Sequence, residues 1–258
     1  MLQALFFYAL TAGQAAQSVE AIRLVPSVVA EFQLGSSAIK GQRVRQLAWS
    51  PDGRELYLMT YEANRDASVK EAFHYVMPAT GGQFSAVRTA PPWAATYWTW
   101  KSDRNPPGDP SQQIEVLQEQ KRAETGVATP MGGDLARGGA DTGAAGVSSG
   151  AAVNAARGMQ MNNVYTLKLK GEIIGEWIDH PIVPGLTFGW GPKGSGLIAF
   201  AEKGSGRLVV MDTAGNKQRV DDTKGVVLPA FSEDSSRLAY LENRGRNRFA
   251  VVVATLSK

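Results

Sequence analysis

The chain has no cysteine in its 258 residues. Disulfides, thiol catalysis and thiolate-bound metal are therefore excluded, and so is a lipid anchor carried on cysteine. Histidine is nearly as scarce, with only His74 and His180. One histidine beside scattered carboxylates falls short of a zinc constellation, so no metal and no cofactor is expected. A dominant charge sign is missing too. With 27 Lys+Arg against 24 Asp+Glu the net charge is +3, which lacks the basic footprint of a nucleic-acid binder. The nearest cluster, Arg244, Arg246 and Arg248, fits a solvated hairpin turn better than a phosphate site. No apolar run approaches the roughly 20 residues that a membrane helix needs, so no integral span is expected. The clearest short run, Ala4–Ala12 followed by Gly13-Gln-Ala-Ala16, matches the hydrophobic and cleavage regions of a secretory signal, although no Lys or Arg precedes it. Residues 1–17 are read as a signal peptide, which predicts a periplasmic or secreted protein.

What the chain does have is a repeat. Leu47-Ala-Trp49-Ser-Pro-Asp-Gly-Arg-Glu-Leu56 recurs as Phe188-Gly-Trp190-Gly-Pro-Lys-Gly-Ser-Gly-Leu197 and as Pro229-Ala-Phe231-Ser-Glu-Asp-Ser-Ser-Arg-Leu238. In each copy an aromatic is followed seven positions later by a Leu that opens an apolar run. Each copy predicts strand, turn, strand. Pro51 presets φ, Asp52 can bond its own backbone, and Gly53 tolerates positive φ. A third strand follows at constant distance, starting near Leu208 and Phe249. Asp212-Thr-Ala-Gly215-Asn216 predicts a tight turn into a fourth, Lys217–Val220, and Tyr75–Phe84 plays the same part in the first copy.

A degenerate copy lies between. Trp100 and Asp103 keep the spacing of Trp49 and Asp52, with Thr96–Trp100 as its first strand. Ile114–Gln118, Val164–Leu169 and Glu172–Trp177 supply the other three. Its second and third strands are split by a Gly/Ala-rich insertion at about 123–160. Gly and Ala fill 16 of the 28 positions from Met131 to Gly158, too little apolar surface to offset ordering, so a disordered loop is expected. Trp190 and Phe231 stand 41 positions apart. That period, with four strands per copy, matches a propeller blade. The expectation is an all-β domain over 19–258, a small β-propeller of about four blades of four antiparallel strands. The last copy lacks a fourth strand, and Ser27–Leu34 is predicted to pair with it and close the ring.

The aromatic-Ser-Pro-Asp-Gly motif, the following Leu-x-Leu or Leu-x-Tyr and the Asp-x-x-Gly turn resemble the TolB-like, WD-repeat-like β-propeller family. The resemblance covers 45–84 and 187–256 well and 96–179 poorly. It departs from that family in blade number, which is usually six.

No catalytic residue is nominated. Gly146-Val-Ser-Ser-Gly150 fits the string of a nucleophile elbow but lacks the strand and helix that the elbow requires. Asp221-Asp222 and Gly191–Gly196 read as turns, and both histidines as hydrogen-bonded groups at strand ends. Trp98 and Trp100 are assigned to packing between blades, with Tyr97 and Trp93 left near the entrance to the ring. The expected role is an exported, non-catalytic module that binds a protein or peptide partner in the cell envelope. Arg45, Tyr97 and Thr187, at the starts of inner strands, are the candidate binding residues. The alternatives are a carbohydrate-binding or hydrolytic propeller with carboxylates in its channel, and a remnant of a prolyl oligopeptidase-like protein without its hydrolase domain.

Overall fold

A computed structural model describes residues 22–34, 42–63, 69–97, 114–122, 161–179, 185–245 and 247–257. In chain order the elements are β1 (Arg23–Gln33), β2 (Gln42–Trp49), β3 (Glu55–Ala63), β4 (Val69–Pro78), β5 (Ser85–Val87), α1 (Pro92–Thr96), β6 (Ile114–Arg122), β7 (Met161–Leu169) and β8 (Glu172–Asp179). They continue with β9 (Phe188–Trp190), β10 (Leu197–Ala201), β11 (Leu208–Asp212), β12 (Lys217–Val220), β13 (Val226–Phe231), β14 (Arg237–Gly245) and β15 (Arg248–Ser257). The protein is all-β. Four antiparallel sheets run β2-β3-β4-β5, β6-β7-β8, β9-β10-β11-β12 and β13-β14-β15-β1.

The repeated hairpin turns form by the mechanism their residues dictate. The Ser50 hydroxyl donates to Asp52 Oδ1 (2.6 Å) and accepts from the Arg54 and Glu55 amides at 3.1 and 2.9 Å. Ser232 repeats this, donating to Asp234 (2.6 Å) and accepting from the Arg237 amide (3.0 Å). Gly53 (φ 67°) and Ser235 (φ 60°) hold the same left-handed position. In the copy at Gly191 both partners are lost. There the Ser195 hydroxyl accepts from the Leu197 amide instead (3.2 Å).

The anchor aromatics lie at the junctions between sheets. Trp49 ends β2, and its indole N–H donates to the Ala230 carbonyl of β13 at 2.8 Å. Arg237, which opens β14, lies 4.6 Å over the Trp49 ring. Phe231 packs with Leu197, Ala199 and Val210 of the β9–β12 sheet. Trp190 packs with Leu167 and Trp177 of the β6–β8 sheet. Each aromatic thus faces the sheet of the preceding copy or, for Trp49, of the last one. The order of sheets through these junctions is β6–β8, β9–β12, β13–β1, β2–β5. Close approach is tight in places: a Cβ on Gly175 would stand 2.8 Å from the Phe200 ring.

The N-terminal strand pairs where the edge argument places it. β1 lies antiparallel on β15 from Arg23↔Ser257 to Gln33↔Arg248, with a bulge between Val28 and Ala30. At that bulge the Val29 carbonyl accepts from the Gly82 amide of the β2–β5 sheet (3.3 Å). Phe32 contacts both Phe84 and Phe249, each at 5.5 Å. β1 therefore completes one sheet and fastens it to the next. As the outermost strand it carries Pro26, which an edge tolerates because the missing N–H faces no neighbour.

One expected strand start is corrected. Thr96 ends a short helix, not a strand, because Pro91-Pro92 puts a proline at the first helical position and Ala94-Ala95 continue it. Trp98, Trp100 and Asp103, residues 1–17, the whole insertion at 123–160 with Gly146–Gly150, and His180 lie outside the described residues. The β6–β8 sheet accordingly has three described strands. Among the described residues no helix is long and apolar enough to cross a membrane.

Candidate functional site

Strand direction sorts the connections into two ends. One end holds the tight turns after Trp49, Trp190 and Phe231, with those at Lys170-Gly171 and Gly215. The other gathers the starts of β2, β9 and β13 and the links β3–β4, β6–β7, β10–β11 and β14–β15. Hydrogen bonds across the sheets agree with this alignment. At the loop end the Leu228 amide donates to the Leu186 carbonyl (2.6 Å), and the Lys203 amide to the Glu176 carbonyl (3.0 Å).

The loop end is where ion pairs collect. Lys70–Glu62 (3.6 Å), Lys203–Glu176 (3.8 Å), Arg207–Asp221 (3.1 Å), Arg244–Glu242 (2.9 Å) and Arg219–Glu202 all lie there. Partial burial pushes the Glu202 carboxyl up, but bonds from Arg219 and Ser205 outweigh it and hold the group below the usual carboxylate range. Glu242 is buried and also accepts from the Lys224 amide at 3.2 Å.

Arg45 is the extra residue of a bulge in β2: Val44 pairs with Thr60 and Gln46 with Met59, leaving Arg45 between them. A bulge re-aims side chains along its strand. It sets Gln46 on the face of Met59, where its amide donates to the Ala94 and Tyr97 carbonyls of the α1 segment at 2.8 and 2.9 Å. Arg43 lies opposite Tyr61, and the Arg45 guanidinium stands 5.8 Å from the same ring. Both arginines are half-buried.

Tyr97 and Thr187 are placed differently. Tyr97 follows α1, is 3% exposed, and its hydroxyl donates to the Phe231 carbonyl at the far end of β13. It ties α1 across two inner strands. Thr187 immediately precedes β9 and is buried. Its hydroxyl bonds the Ile178 carbonyl (2.8 Å) and Asp179 Oδ1 (3.1 Å). Asp179, fully buried, also accepts from the Gly185 and Thr187 amides at 2.8 and 3.1 Å. The structure does not bring Arg45, Tyr97 and Thr187 into mutual contact: Arg45 lines the surface, and the other two brace it.

Sequence reasoning missed two features. One is Asp179, whose partners Gly185 and Thr187 lie six and eight residues ahead. Leu228 is buried with φ 54°, a conformation that costs a branched L-residue about 1–2 kcal/mol. It forms the bulge of β13 between Val227 and Ala230, and no motif announces it. His74 lies inside β4, not at its end, and its Nδ1 is 2.7 Å from the Tyr57 hydroxyl. Trp93 meets Tyr57 edge-on at 6.2 Å. Burial pushes the Tyr57 hydroxyl up to about 12, so it stays protonated at neutral pH.

The strands β2, β9 and β13 carry no Asp or Glu. Among the described residues no group of three or more His, Asp and Glu converges as a metal site would. The chain matches no protein-family model and no curated protein. A solved structure titled oligogalacturonate lyase in complex with manganese is similar over 87% of this chain and 68% of its own, at 10% identity and a TM-score of 0.25. At that identity and score the likeness assigns this chain neither a family nor an activity.

Proposed function

We propose that this chain is an exported, non-catalytic β-propeller of the TolB-like kind that binds a protein or peptide partner over its loop end. In this reading the four sheets are blades, the β6–β8 and β2–β5 sheets meet to close the ring, and residues 1–17 direct export. The observation that carries it is the contrast within β2. Its loop-end half holds the half-buried Arg43 and Arg45, while its other half, through Trp49, is bonded into the neighbouring sheet. The Arg45 guanidinium, held against the Tyr61 ring, is preorganised for charge-assisted bonds.

The test is site-specific photo-crosslinking in the native envelope. A benzophenone side chain at position 45 should give a defined partner band, identified by mass spectrometry, and one at position 54 on the turn end should give none. Equal crosslinking at both positions, or glycosidase or lactonase turnover by the purified protein, would overturn the reading. The mature N-terminus read from the same sample tests export, with cleavage expected before Ser18.

A further inference from the structure

Arg43 and Arg45 are the half-buried cations of the loop end without a carboxylate; Arg88, Lys224 and Arg248, which also meet none among the described residues, are exposed. Lys70, Lys203, Arg207, Arg219 and Arg244 each meet a carboxylate of this chain. Among the described residues neither Arg43 nor Arg45 does, and the only group that the Arg45 guanidinium faces is the Tyr61 ring. The two are not loose surface cations. They sit opposite Tyr61, itself 2% exposed, at a bulge that also aims Gln46 onto the same face. Tyr61 belongs to one buried cluster with Val44, Leu186, Val227 and Leu228, so the ring that the Arg45 guanidinium faces is fixed in the core. Leu228 holds its strained conformation in that cluster.

We infer that the partner presents carboxylates to this pair: the ligand class is a short acidic peptide segment. This rests on the loop-end reading above and narrows it. Two partly desolvated guanidinium forks lacking anions are matched by carboxylates, which they can bond bidentately. A nucleic acid or other long polyanion needs a track of several free cations. Here five of the cations at this end are bonded to carboxylates of the chain, and of the rest only Arg43 and Arg45 are half-buried, so the site suits one or two carboxylates.

The test uses the full chain panned against an immobilised library of random dodecapeptides. The retained peptides should be enriched in Asp and Glu. Their affinity should fall about ten-fold or more in the Arg43→Gln/Arg45→Gln variant, as expected for losing a charge-assisted bond. Arg45→Lys should lose less, and Arg54→Gln at the turn end should change nothing, with equal melting temperatures showing that all variants fold. Neutral or basic peptides retained at this end would overturn the acidic specificity and leave the peptide-binding reading standing. Retention of no peptide would overturn both. A single-stranded oligonucleotide that displaces the peptides and binds as tightly would assign the pair to polyanions and overturn the inference.

Discussion

The two ends of the molecule are built from the same repeat and use it oppositely. At the turn end, residues that recur between copies engage one another. Ser50 and Ser232 make the same bonds to Asp52 and Asp234, and Trp49 joins its sheet to β13. At the loop end the corresponding positions diverge. Thr60, Ala201 and Glu242 stand at one place in three copies, and the links between strands differ in length and charge. Recurrence therefore marks packing, and divergence marks the surface free to take on a function. The temptation to treat repeated aromatics as ligand platforms fails on this contrast, because Trp49, Trp190 and Phe231 are all buried.

Removing residues 22–34 should have the largest effect. It strips β1 from β15 and withdraws Phe32 from Phe84 and Phe249, so cooperative unfolding should be lost and solubility should drop. A melting curve unchanged from the full chain would show that β1 is an accessory. Next comes Trp49→Ala, which removes a fully buried indole and its bond to Ala230. A loss of about 3–5 kcal/mol is expected in urea unfolding. Gly175→Ala pushes a methyl against Phe200 and should cost about 1–3 kcal/mol. A neutral result there would mean that the two sheets adjust more freely than their spacing implies.

The smallest expected effect is a pH dependence at the turn end. The Ser232 hydroxyl, then Ser236, hold the Asp234 carboxyl down at about 2, against about 3.9 for an unfolded aspartate. A depressed folded value means that the contribution to stability is complete above about pH 4 and disappears as pH falls through about 2. Most of the side chain is open to solvent, so the contribution is small. The stability gap between the native chain and Asp234→Asn should narrow over that window. A gap that stays constant would assign the difference to the lost hydrogen bonds instead.

Much of the strand plan was legible before any coordinates. The hairpin turns announce themselves because their bonds are local, between residues two to five apart. The partner of β1 was also predictable, since the last copy lacked a strand and an open edge needed covering. The helix at Pro92–Thr96 was not anticipated, although Pro-Pro-Trp-Ala-Ala carries its start, and of the expected strand 96–100 only Thr96 falls in it. Arg45 could be placed at an inner-strand start from register alone. The roles of Tyr97 and Thr187 could not. Tyr97 bonds a carbonyl 134 positions away, and Thr187 bonds a buried Asp179 at the end of another sheet. Long-range bonds of this kind follow from how sheets stack, and spacing within one segment carries no trace of them.

The central claim is that the turn end holds the fold while the loop end binds. It is tested most directly by hydrogen exchange, comparing the free protein with the protein saturated by its crosslink-identified partner. Binding should slow exchange at the amides of 42–46, 185–187 and 224–228 and leave 50–55 and 232–237 unchanged. Protection concentrated at 50–55 and 232–237 would contradict the account and place the partner on the turns.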